Sequence, residues 1–368
     1  MLKGLMQRGI EPLVVFPARD GLNTVLQKQG ISTIVLSYRM DVWPPFRTIK
    51  DCFLFLPRLC VRRFLNMRAY SRLLSVARQF KPELIHTNVS VINIGYKVAM
   101  KLRIPHVWHI REYGDLDFKL YHYPSRRYFL RSLKADGSYS ISITKDIFRY
   151  NGLQEEGKHF HQVIYNGILS DTEVCLDKTK EPYFLFAGRL EANKGIAELL
   201  KAFAEFKQLR PASVKRLWIA GDTENKSYDS YLKFEVVRLQ IASEVEFLGM
   251  REDVLDLMAK AYLMIVPSVS EGFGRITSEA MFRGALVLGR DTAGTKEQFD
   301  NGRELTGQEI GLRFTNHEEL VQRMCEVEDR GIESYFSMIE RSQTVVRELY
   351  SVERHSRQIY DFYTDILR

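Results

Sequence analysis

The stretch "LMIVPSVSEGFGRITSEAMF", residues 263–282, contains a strand, a turn and a helix in immediate succession. Its continuous apolar start is typical of a parallel strand that is buried on both faces of a sheet. Gly272, Phe273 and Gly274 then lead into the helix. Backbone N–H groups at a helix start lack partners, and the helix dipole adds positive potential there. The turn therefore predicts a site for an anion or for sugar hydroxyls.

Two carboxylates bracket this turn. Glu271 precedes it, and Glu279 lies about 7 Å further along the helix axis than Gly274, at ~1.5 Å rise per residue. A carboxylate can accept two hydrogen bonds from a vicinal diol. We therefore expect Glu271 to hold sugar hydroxyls and Glu279 to hold the ribose of the same nucleotide-sugar. The alternative is an ordinary helix cap followed by a surface glutamate.

Strand and helix patterns alternate along the whole chain, which predicts an α/β protein with doubly wound parallel sheets. The predicted strands are "PLVVFP", "STIVLS", "ELIHTN", "PHVWHI", "YSISIT", "QVIYNG", "YFLFAG", "RLWIAG", "VEFLG", "LMIVPS", "ALVLG" and "GLRF". A length of 368 residues suggests two domains, at roughly 150 residues each. We expect domains at 1–167 and 183–349, a polar linker at 168–182, and a last helix at 350–368 that packs back on the first domain.

The composition is that of a folded soluble protein, with 45% hydrophobic and 27% charged residues. The four cysteines form no C-x-x-C pair and no metal-ligand spacing, which favours a reduced, cytoplasmic compartment. No apolar run approaches the ~18 residues of a membrane span. Residues 1–175 contain 26 basic and 14 acidic residues, whereas the remainder contains 27 and 32. The first half is therefore expected to meet an anionic partner. Nucleic acid is not expected, because no recognition motif accompanies the charge.

A second glycine-bounded loop, "FAGRLEANKG", follows the strand at 183–187. Its Gly188 allows a tight turn, and its Arg189 and Lys194 are residue types that suit two phosphates. The alternative is a solvated charged loop. A further glycine turn, "VEFLGMRED", places Gly249 and Met250 directly after another strand.

Taken together, "FAGRL…KG", "IAGD", "VEFLGMRED", "VPSVSEGFGRITSEAM", "GALVLGRDTAGTKE" and "VIYNGI" resemble the retaining nucleotide-sugar glycosyltransferases of family GT4. The match runs in order over residues 162–315, and "KPELIHTN" and "PHVWHIREYGD" add weaker matches before it. These enzymes have the GT-B fold, in which two Rossmann-like domains face a cleft. The resemblance implies a hexosyltransferase that transfers sugar with retention and needs no metal or other cofactor.

The resemblance also implies roles for individual residues. The diphosphate would bind Arg189 and Lys194 beside Gly188, the sugar would bind Glu271 and the amides of Gly272, Phe273 and Gly274, the ribose would bind Glu279, and the base would lie at Gly249 and Met250. A UDP-sugar is favoured over a GDP-sugar. Members with "GRITSEAM" and "AGTKE" look like those of bacterial capsule and exopolysaccharide pathways, which implies a lipid-linked or oligosaccharide acceptor. The alternatives are a nucleotide-sugar epimerase and a catalytically silent nucleotide-sugar-binding protein at the membrane.

The first domain is expected to supply a histidine near the anomeric carbon. His109 ends its strand before "REYGD" and is our choice, with His86 at the end of the preceding strand as the alternative. Either could instead be a structural histidine. The sequence "DLD", Asp115–Asp117, resembles a metal-binding D-x-D, but it lies outside the donor motifs and is interpreted as a solvated loop.

Residues 52–82 contain seven basic residues and no acidic one. Apolar residues alternate there with Arg58, Arg62, Arg63 and Arg68, which is typical of an interfacial segment that binds anionic lipid. The protein would then be peripheral on the inner face of the cytoplasmic membrane. The alternative is a surface helix whose apolar face lies in the core.

The chain start also departs from the family pattern. Relatives of this kind begin with a β-strand and a glycine-rich loop, whereas "LKGLMQRGIEPLVVF" resembles the end of the first helix running into the second strand. We therefore expect the first domain to lack its first strand, with Met1 an internal methionine of a longer chain or the domain poorly folded. The alternative is that another strand takes the missing place.

Overall fold

The computed structural model describes residues 1–19, 21–46, 48–153 and 161–368. The chain divides into two compact units: the first comprises Met1–Tyr165 and Ser356–Arg368, and the second comprises Asn166–His355. The predicted linker, 168–182, belongs to the second unit. Ile168 N–H donates to the Tyr350 carbonyl at 2.8 Å, and Cys175 N–H donates to the Phe282 carbonyl at 3.1 Å. This polar segment is therefore held by main-chain hydrogen bonds.

Each predicted strand segment overlaps an observed strand. The strands are β1 Leu13–Phe16, β2 Ser32–Val35, β3 Ile85–Thr87, β4 His106–Ile110, β5 Ser138–Ser142, β6 His161–Val163, β7 Glu181–Ala187, β8 Arg216–Ala220, β9 Val245–Gly249, β10 Ala261–Val266, β11 Val287–Arg290 and β12 Leu312–Phe314. All the ladders between them are parallel within the described residues.

Helices connect these strands. The α-helices are α1 Leu2–Met6, α2 Gly21–Lys28, α3 Ile49–Phe80, α4 Ile94–Leu102, α5 Asp115–Phe118, α6 Arg126–Leu133, α7 Lys145–Tyr150, α8 Ile196–Leu209, α9 Lys226–Arg238, α10 Val254–Lys260, α11 Arg275–Phe282, α12 Ala293–Thr306, α13 His317–Arg330, α14 Phe336–Tyr350 and α15 Val352–Leu367. Short 3₁₀ helices lie at Asp171–Glu173, Ala192–Lys194 and Ile332–Tyr335.

The first unit contains a two-stranded sheet, β1-β2, and a four-stranded sheet in the order β3-β4-β5-β6. No ladder joins the two sheets within the described residues, and the expectation of an absent first strand stays a prediction. The last helix, α15, contributes Phe362 and Tyr363 to a core with Leu5 of α1, Val107 of β4 and Ile141 of β5. Helices from both ends of the chain thus share one core of this unit.

Helix α3 has two dissimilar halves. It begins at a capping box, in which the Thr48 hydroxyl accepts from Asp51 N–H and the Asp51 carboxylate accepts from Thr48 N–H. Its second half packs through Ala69, Leu73 and Ala77 in a core shared with α4. Its first half instead exposes large apolar side chains, which are Ile49, Phe53, Leu56, Val61 and Phe64. The expectation of an apolar face in the core therefore holds for the second half only.

The second unit contains one six-stranded sheet in the order β12-β11-β10-β7-β8-β9. Its central strands are buried, which accounts for their continuously apolar sequences. β7 and β10 are neighbours although the loops that follow them are far apart in sequence. Because all ladders are parallel, the carboxyl ends of these strands lie at one edge of the sheet, where ligands of doubly wound sheets bind.

We predict that Phe362→Ala lowers the free energy of unfolding of the first unit by about 3–5 kcal/mol, because it leaves a cavity at a side chain that is 1% exposed. Urea unfolding followed by hydrogen–deuterium exchange of peptides from each unit would measure this change. Leu367→Ala, at an exposed position of the same helix, is the matched control and should change stability by less than about 0.5 kcal/mol. Equal effects of the two substitutions would contradict the packing of α15 described above.

Candidate active site

The turn after β10 carries the predicted sugar-binding carboxylate. Oε1 of Glu271 accepts hydrogen bonds from Lys194 Nζ at 2.8 Å and from Ser268 Oγ at 2.7 Å. The side chains of Glu271 and Lys194 are 13% and 18% exposed, so water screens this ion pair only in part. The structure thus places the carboxylate of one predicted loop against the cation of the other.

This meeting depends on a glycine. Gly195 has φ +73°, and a Cβ atom there would lie 2.2 Å from the carbonyl oxygen of Pro267. Any other residue would be strained by the left-handed backbone and would collide with the neighbouring loop. Val269 N–H also donates to the Asn193 carbonyl at 2.9 Å, which fixes the two loops together. Lys194 is therefore held beside the turn after β10.

The start of α11 is shaped by main-chain contacts. Gly274 is the N-cap residue with φ +78°, and no side chain caps the helix there. Gln298 of α12 donates Nε2–H to the Gly274 carbonyl at 2.9 Å and also to the Phe273 carbonyl. Gly294 N–H donates to the Glu271 carbonyl at 3.0 Å. The first residues of α12 thus hold the turn in shape, while the Phe273 ring is buried edge-on against Tyr350.

Sequence reasoning did not predict the contacts that three residues make in this arrangement: Ser268, Gly195 and Gln298. Ser268 and Gly195 lie inside the two motifs that carry Glu271 and Lys194. Their short spacing from these two residues is the sequence signal that could have indicated the contacts. Gln298 lies within an ordinary helical stretch, and nothing in its neighbourhood in the sequence indicates that its amide reaches the glycine turn.

The other predicted donor-site charges are paired on the surface of the same unit. Arg189 contacts Glu191 at 2.9 Å, and Arg275 contacts Glu279 at 3.2 Å. Both arginine side chains are 64% exposed, so these pairs contribute little stability and can exchange partners. An arriving anion could therefore recruit Arg189 at small cost.

A row of glycines marks the carboxyl edge of β7, β8 and β9. Gly188 N–H donates to the Ala220 carbonyl at 2.9 Å, and Gly221 N–H donates to the Gly249 carbonyl at 2.8 Å. A Cβ atom at Gly221 would lie 1.8 Å from the Gly188 carbonyl oxygen, so the backbones approach closely there. Met250 follows with its side chain 82% exposed. The predicted base-binding turn is thus open to solvent.

The two candidate histidines of the first unit contact each other. Nε2 of His86 lies 3.2 Å from Nδ1 of His109, and the Tyr363 hydroxyl lies 2.6 Å from Nδ1 of His86. Burial raises the pKa of Tyr363, so this hydroxyl keeps its proton. The His109 side chain is completely buried, and direct contact with a sugar would require it to rearrange. Its catalytic role stays a prediction, and the structure adds Tyr363 of α15 as a partner that sequence reasoning did not foresee.

The D-x-D sequence is not the solvated loop that the sequence predicted: it lies in the short helix α5, and both aspartates are hydrogen-bonded within the first unit. Asp117 accepts hydrogen bonds from the N–H groups of Tyr113 and Gly114 at 3.0 and 2.8 Å, and Asp115 accepts from the Tyr150 hydroxyl at 2.6 Å. Across the described ranges, no group of three or more histidine, cysteine, aspartate or glutamate residues is placed to hold a metal ion. Metal independence itself stays a prediction.

The four arginines of the predicted membrane segment lie on α3. Arg58 pairs with Asp51 at 2.6 Å, and Arg62 donates to the Val42 carbonyl at 2.6 Å. Arg63 donates to the Tyr123 hydroxyl at 2.5 Å, and Arg68 lies over the ring of a neighbouring phenylalanine. Among the helices that the structure describes, none has the length and apolarity needed to cross a bilayer.

Comparison with known families gives the site its chemistry. The family described as "Glycosyl transferases group 1" matches residues 172–345, which include every predicted donor-site residue. This segment is therefore similar to the group 1 glycosyltransferases. The glycosyltransferase resemblance seen in the sequence is thereby confirmed, and retention of configuration is consistent with it.

Curated relatives support the same family. An uncharacterized glycosyltransferase of Methanocaldococcus jannaschii is 28% identical over 219 residues, which are 58% of this chain and 58% of that protein. The O-antigen chain mannosyltransferase RfbU of Salmonella typhimurium is 31% identical over 142 residues, 38% of each chain. The chain thus spans about half the length of the curated relatives that it matches.

The fold is similar over nearly the whole chain to that of a solved structure. The Anabaena protein HepE, crystallised in complex with UDP and glucose, superposes with a TM-score of 0.74 at 19% identity and covers 99% of this chain and 94% of that one. The predicted α/β architecture of the GT-B type, with two Rossmann-like domains, is confirmed.

We predict that Gly195→Ala lowers the free energy of unfolding of the second unit by more than the left-handed backbone at this position accounts for. The matched control is Gly307→Ala: Gly307 has φ +72°, close to that of Gly195, but no atom within 4 Å of its Cβ position. The control should cost about 1–2 kcal/mol of left-handed strain, whereas Gly195→Ala should cost a further ~1–3 kcal/mol from overpacking. Urea unfolding of the second unit measures both costs. Equal costs would show that the approach to Pro267 carries no constraint.

Proposed function

We propose that the chain transfers a sugar from a nucleotide-sugar to a lipid-linked saccharide acceptor, with retention of configuration, during synthesis of a bacterial surface polysaccharide. The observation that carries the proposal is the Lys194–Glu271 pair beside the uncapped start of α11. A cation, a carboxylate and helix N–H groups at one place match a donor with a diphosphate on one side and sugar hydroxyls on the other.

In the proposed reaction the bond between the sugar's anomeric carbon and the diphosphate breaks, and the acceptor oxygen forms a bond to that carbon as its proton is released. Arg189 and Lys194 would stabilise the negative charge that develops on the leaving diphosphate. Glu271 would accept hydrogen bonds from the sugar hydroxyls, and Glu279 from the ribose. Lys194 would exchange its carboxylate partner for phosphate oxygens when the donor binds.

The proposed donor and acceptor classes are inferred from proteins that are similar to this chain. HepE was crystallised with UDP and glucose, which favours a UDP-sugar as the donor of this chain also. RfbU is an O-antigen chain mannosyltransferase, which favours a saccharide acceptor on a lipid carrier. We propose that the reaction takes place at the inner face of the cytoplasmic membrane, supported by the exposed apolar side chains and arginines of α3.

The proposal is tested by incubating the purified chain with a panel of radiolabelled UDP- and GDP-sugars and bacterial lipid extract. Transfer of label into the lipid fraction from one donor is expected. Binding of a nucleotide-sugar without transfer would favour a silent binding protein instead, and interconversion of the free donor would favour an epimerase.

We predict that Glu279→Ala weakens UDP binding by about 10–150-fold, since a hydrogen bond to a charged group is worth ~1.5–3 kcal/mol. Glu271→Ala should chiefly lower kcat, because its carboxylate faces the sugar. Calorimetry with UDP and initial rates with the identified donor measure the two effects. Arg275→Ala is the control, because it removes the partner of Glu279 but leaves the carboxylate. Unchanged UDP affinity in Glu279→Ala would disprove the ribose assignment.

We predict that transfer survives excess EDTA, because Arg189 and Lys194 supply fixed positive charge where a metal ion would otherwise be needed. Initial rates with and without chelator provide the measurement. The double variant Asp115→Asn/Asp117→Asn should keep its chelator insensitivity. Loss of turnover in EDTA that Mg²⁺ or Mn²⁺ restores would show that the assignment of the diphosphate charge to these two residues is wrong.

A further inference from the structure

A cavity of ≈ 650 Å³ in the first unit is lined by residues of α3 and α4. Residues 40–42, Tyr123 and Tyr128 of α6 complete its wall. The side chains that matter for its chemistry are cationic: Arg62 and Arg63 from α3, and Lys97 and Lys101 from α4. Lys97 and Lys101 are four residues apart and face the same side of α4, whereas Arg62 and Arg63 are adjacent and lie about 100° apart around α3. The cavity thus concentrates four positive charges from two helices.

Among the described residues, none of these four cations forms an ion pair with a carboxylate. Arg62 and Arg63 donate to neutral acceptors, the Val42 carbonyl and the Tyr123 hydroxyl. Burial and the nearby charges of Arg58 and Arg39 lower the pKa of Arg62, whereas the charge of Asp41 raises it. Four cations against the single carboxylate of Asp41 leave the cavity wall with a net positive charge.

The one carboxylate in the cavity wall, that of Asp41, is hydrogen-bonded within the first unit. Asp41 Oδ1 accepts from Asn66 Nδ2 at 3.2 Å, and Asp41 Oδ2 accepts from Asn93 N–H at 2.9 Å. These bonds hold the loop at 40–42 against α3 and the start of α4. Asp41 thus supports the wall, while the four cations stay available to a ligand.

An exposed apolar ridge runs along α3 beside the cavity. Phe53, Leu56, Phe64 and Met67 recur at spacings of three, eight and three residues, which place them on one helical face. All four side chains are more than half exposed. Met67 belongs both to this ridge and to the cavity wall. A ligand with an anionic head and an apolar tail matches this combination.

We propose that this cavity binds the phosphate group of an anionic phospholipid, with the lipid's acyl chains along the apolar ridge of α3. The site deepens the proposed function by giving the lipid partner a defined place in the first unit. A free phosphate compound would satisfy the cations but would leave the ridge unused, and this difference decides between the two sources of phosphate.

The experiment follows lysine acetylation in the full chain by peptide mass spectrometry. Water-soluble dihexanoyl phosphatidic acid, at four times its dissociation constant, should slow acetylation of Lys97 and Lys101 about fivefold by simple occupancy. Exposed Lys28 of α2 should not be slowed. Dihexanoyl phosphatidylcholine should have no effect. No protection of Lys97 and Lys101, equal slowing of Lys28, or equal protection by the zwitterionic lipid would overturn the proposal.

Two variants separate the head site from the ridge, with calorimetry as the readout. Lys97→Gln/Lys101→Gln should weaken phosphatidic acid binding about 25-fold, because each basic side chain near anionic lipid contributes on the order of a fivefold factor; Lys28→Gln should not. Phe64→Ser/Met67→Ser should weaken binding of the lipid but not of inorganic pyrophosphate. Pyrophosphate binding as tight as that of the lipid, unaffected by the ridge variant, would identify a free phosphate as the ligand and overturn the lipid assignment.

The same acetylation experiment keeps this proposal distinct from the proposed function. UDP should protect Lys194 and leave Lys97 unchanged. Sugar transfer without lipid protection of Lys97 would overturn the cavity proposal alone. Lipid protection of Lys97 without any sugar transfer would support the cavity proposal while the proposed function fails.

Discussion

The candidate donor site depends on one close approach, that of Gly195 to the carbonyl of Pro267. The loops after β7 and β10 lie far apart in the sequence but leave the same edge of the sheet from neighbouring strands. They can meet only if one of them has no side chain at the contact, since a Cβ atom would lie 2.2 Å from the carbonyl oxygen. The approach brings Lys194 to Glu271. The N–H groups at the start of α11 come just after Glu271 in the sequence. The strand order makes the two loops neighbours, and the absence of a side chain at Gly195 lets them come into contact.

The pairing of charges at this site is consistent with exchange on ligand binding. Lys194 and Glu271 are mostly buried, so removing either partner would leave an uncompensated charge. In the proposed function a nucleotide-sugar would compensate both at once, because its phosphates would replace the carboxylate beside Lys194 and its hydroxyls would replace the ammonium beside Glu271. Arg189 and Glu191 are largely exposed and exchange partners at little cost. The Lys194–Glu271 and Arg189–Glu191 pairs thus hold these charges in position, and each charge can still change its partner when a ligand binds.

The strands and the glycine turns could be predicted from sequence because both are local signals. A buried parallel strand is continuously apolar, and each such run in this chain overlaps a strand. The contacts of Gln298 and His109 could not be predicted in this way. Gln298 reaches the glycine turn from another helix, and His109 is buried in a chain of contacts that runs through His86 to Tyr363 of the last helix. These partners are set by tertiary packing, and a histidine at a strand end has the same sequence pattern whether it faces a ligand or a helix.

Helix α3 shows the same limit within a single element. Both of its halves mix apolar and basic residues, so the composition favours an amphipathic helix throughout without deciding which part is covered. Residue size distinguishes the halves. Ala69 and Ala77 flank Leu73 where α4 packs closely, since small side chains let two helices approach. Phe53 and Phe64 stand on the other half, and their rings remain in solvent. An exposed apolar ridge of this size lowers solubility unless a binding partner buries it. The lysines and arginines beside the ridge favour a partner that carries negative charge.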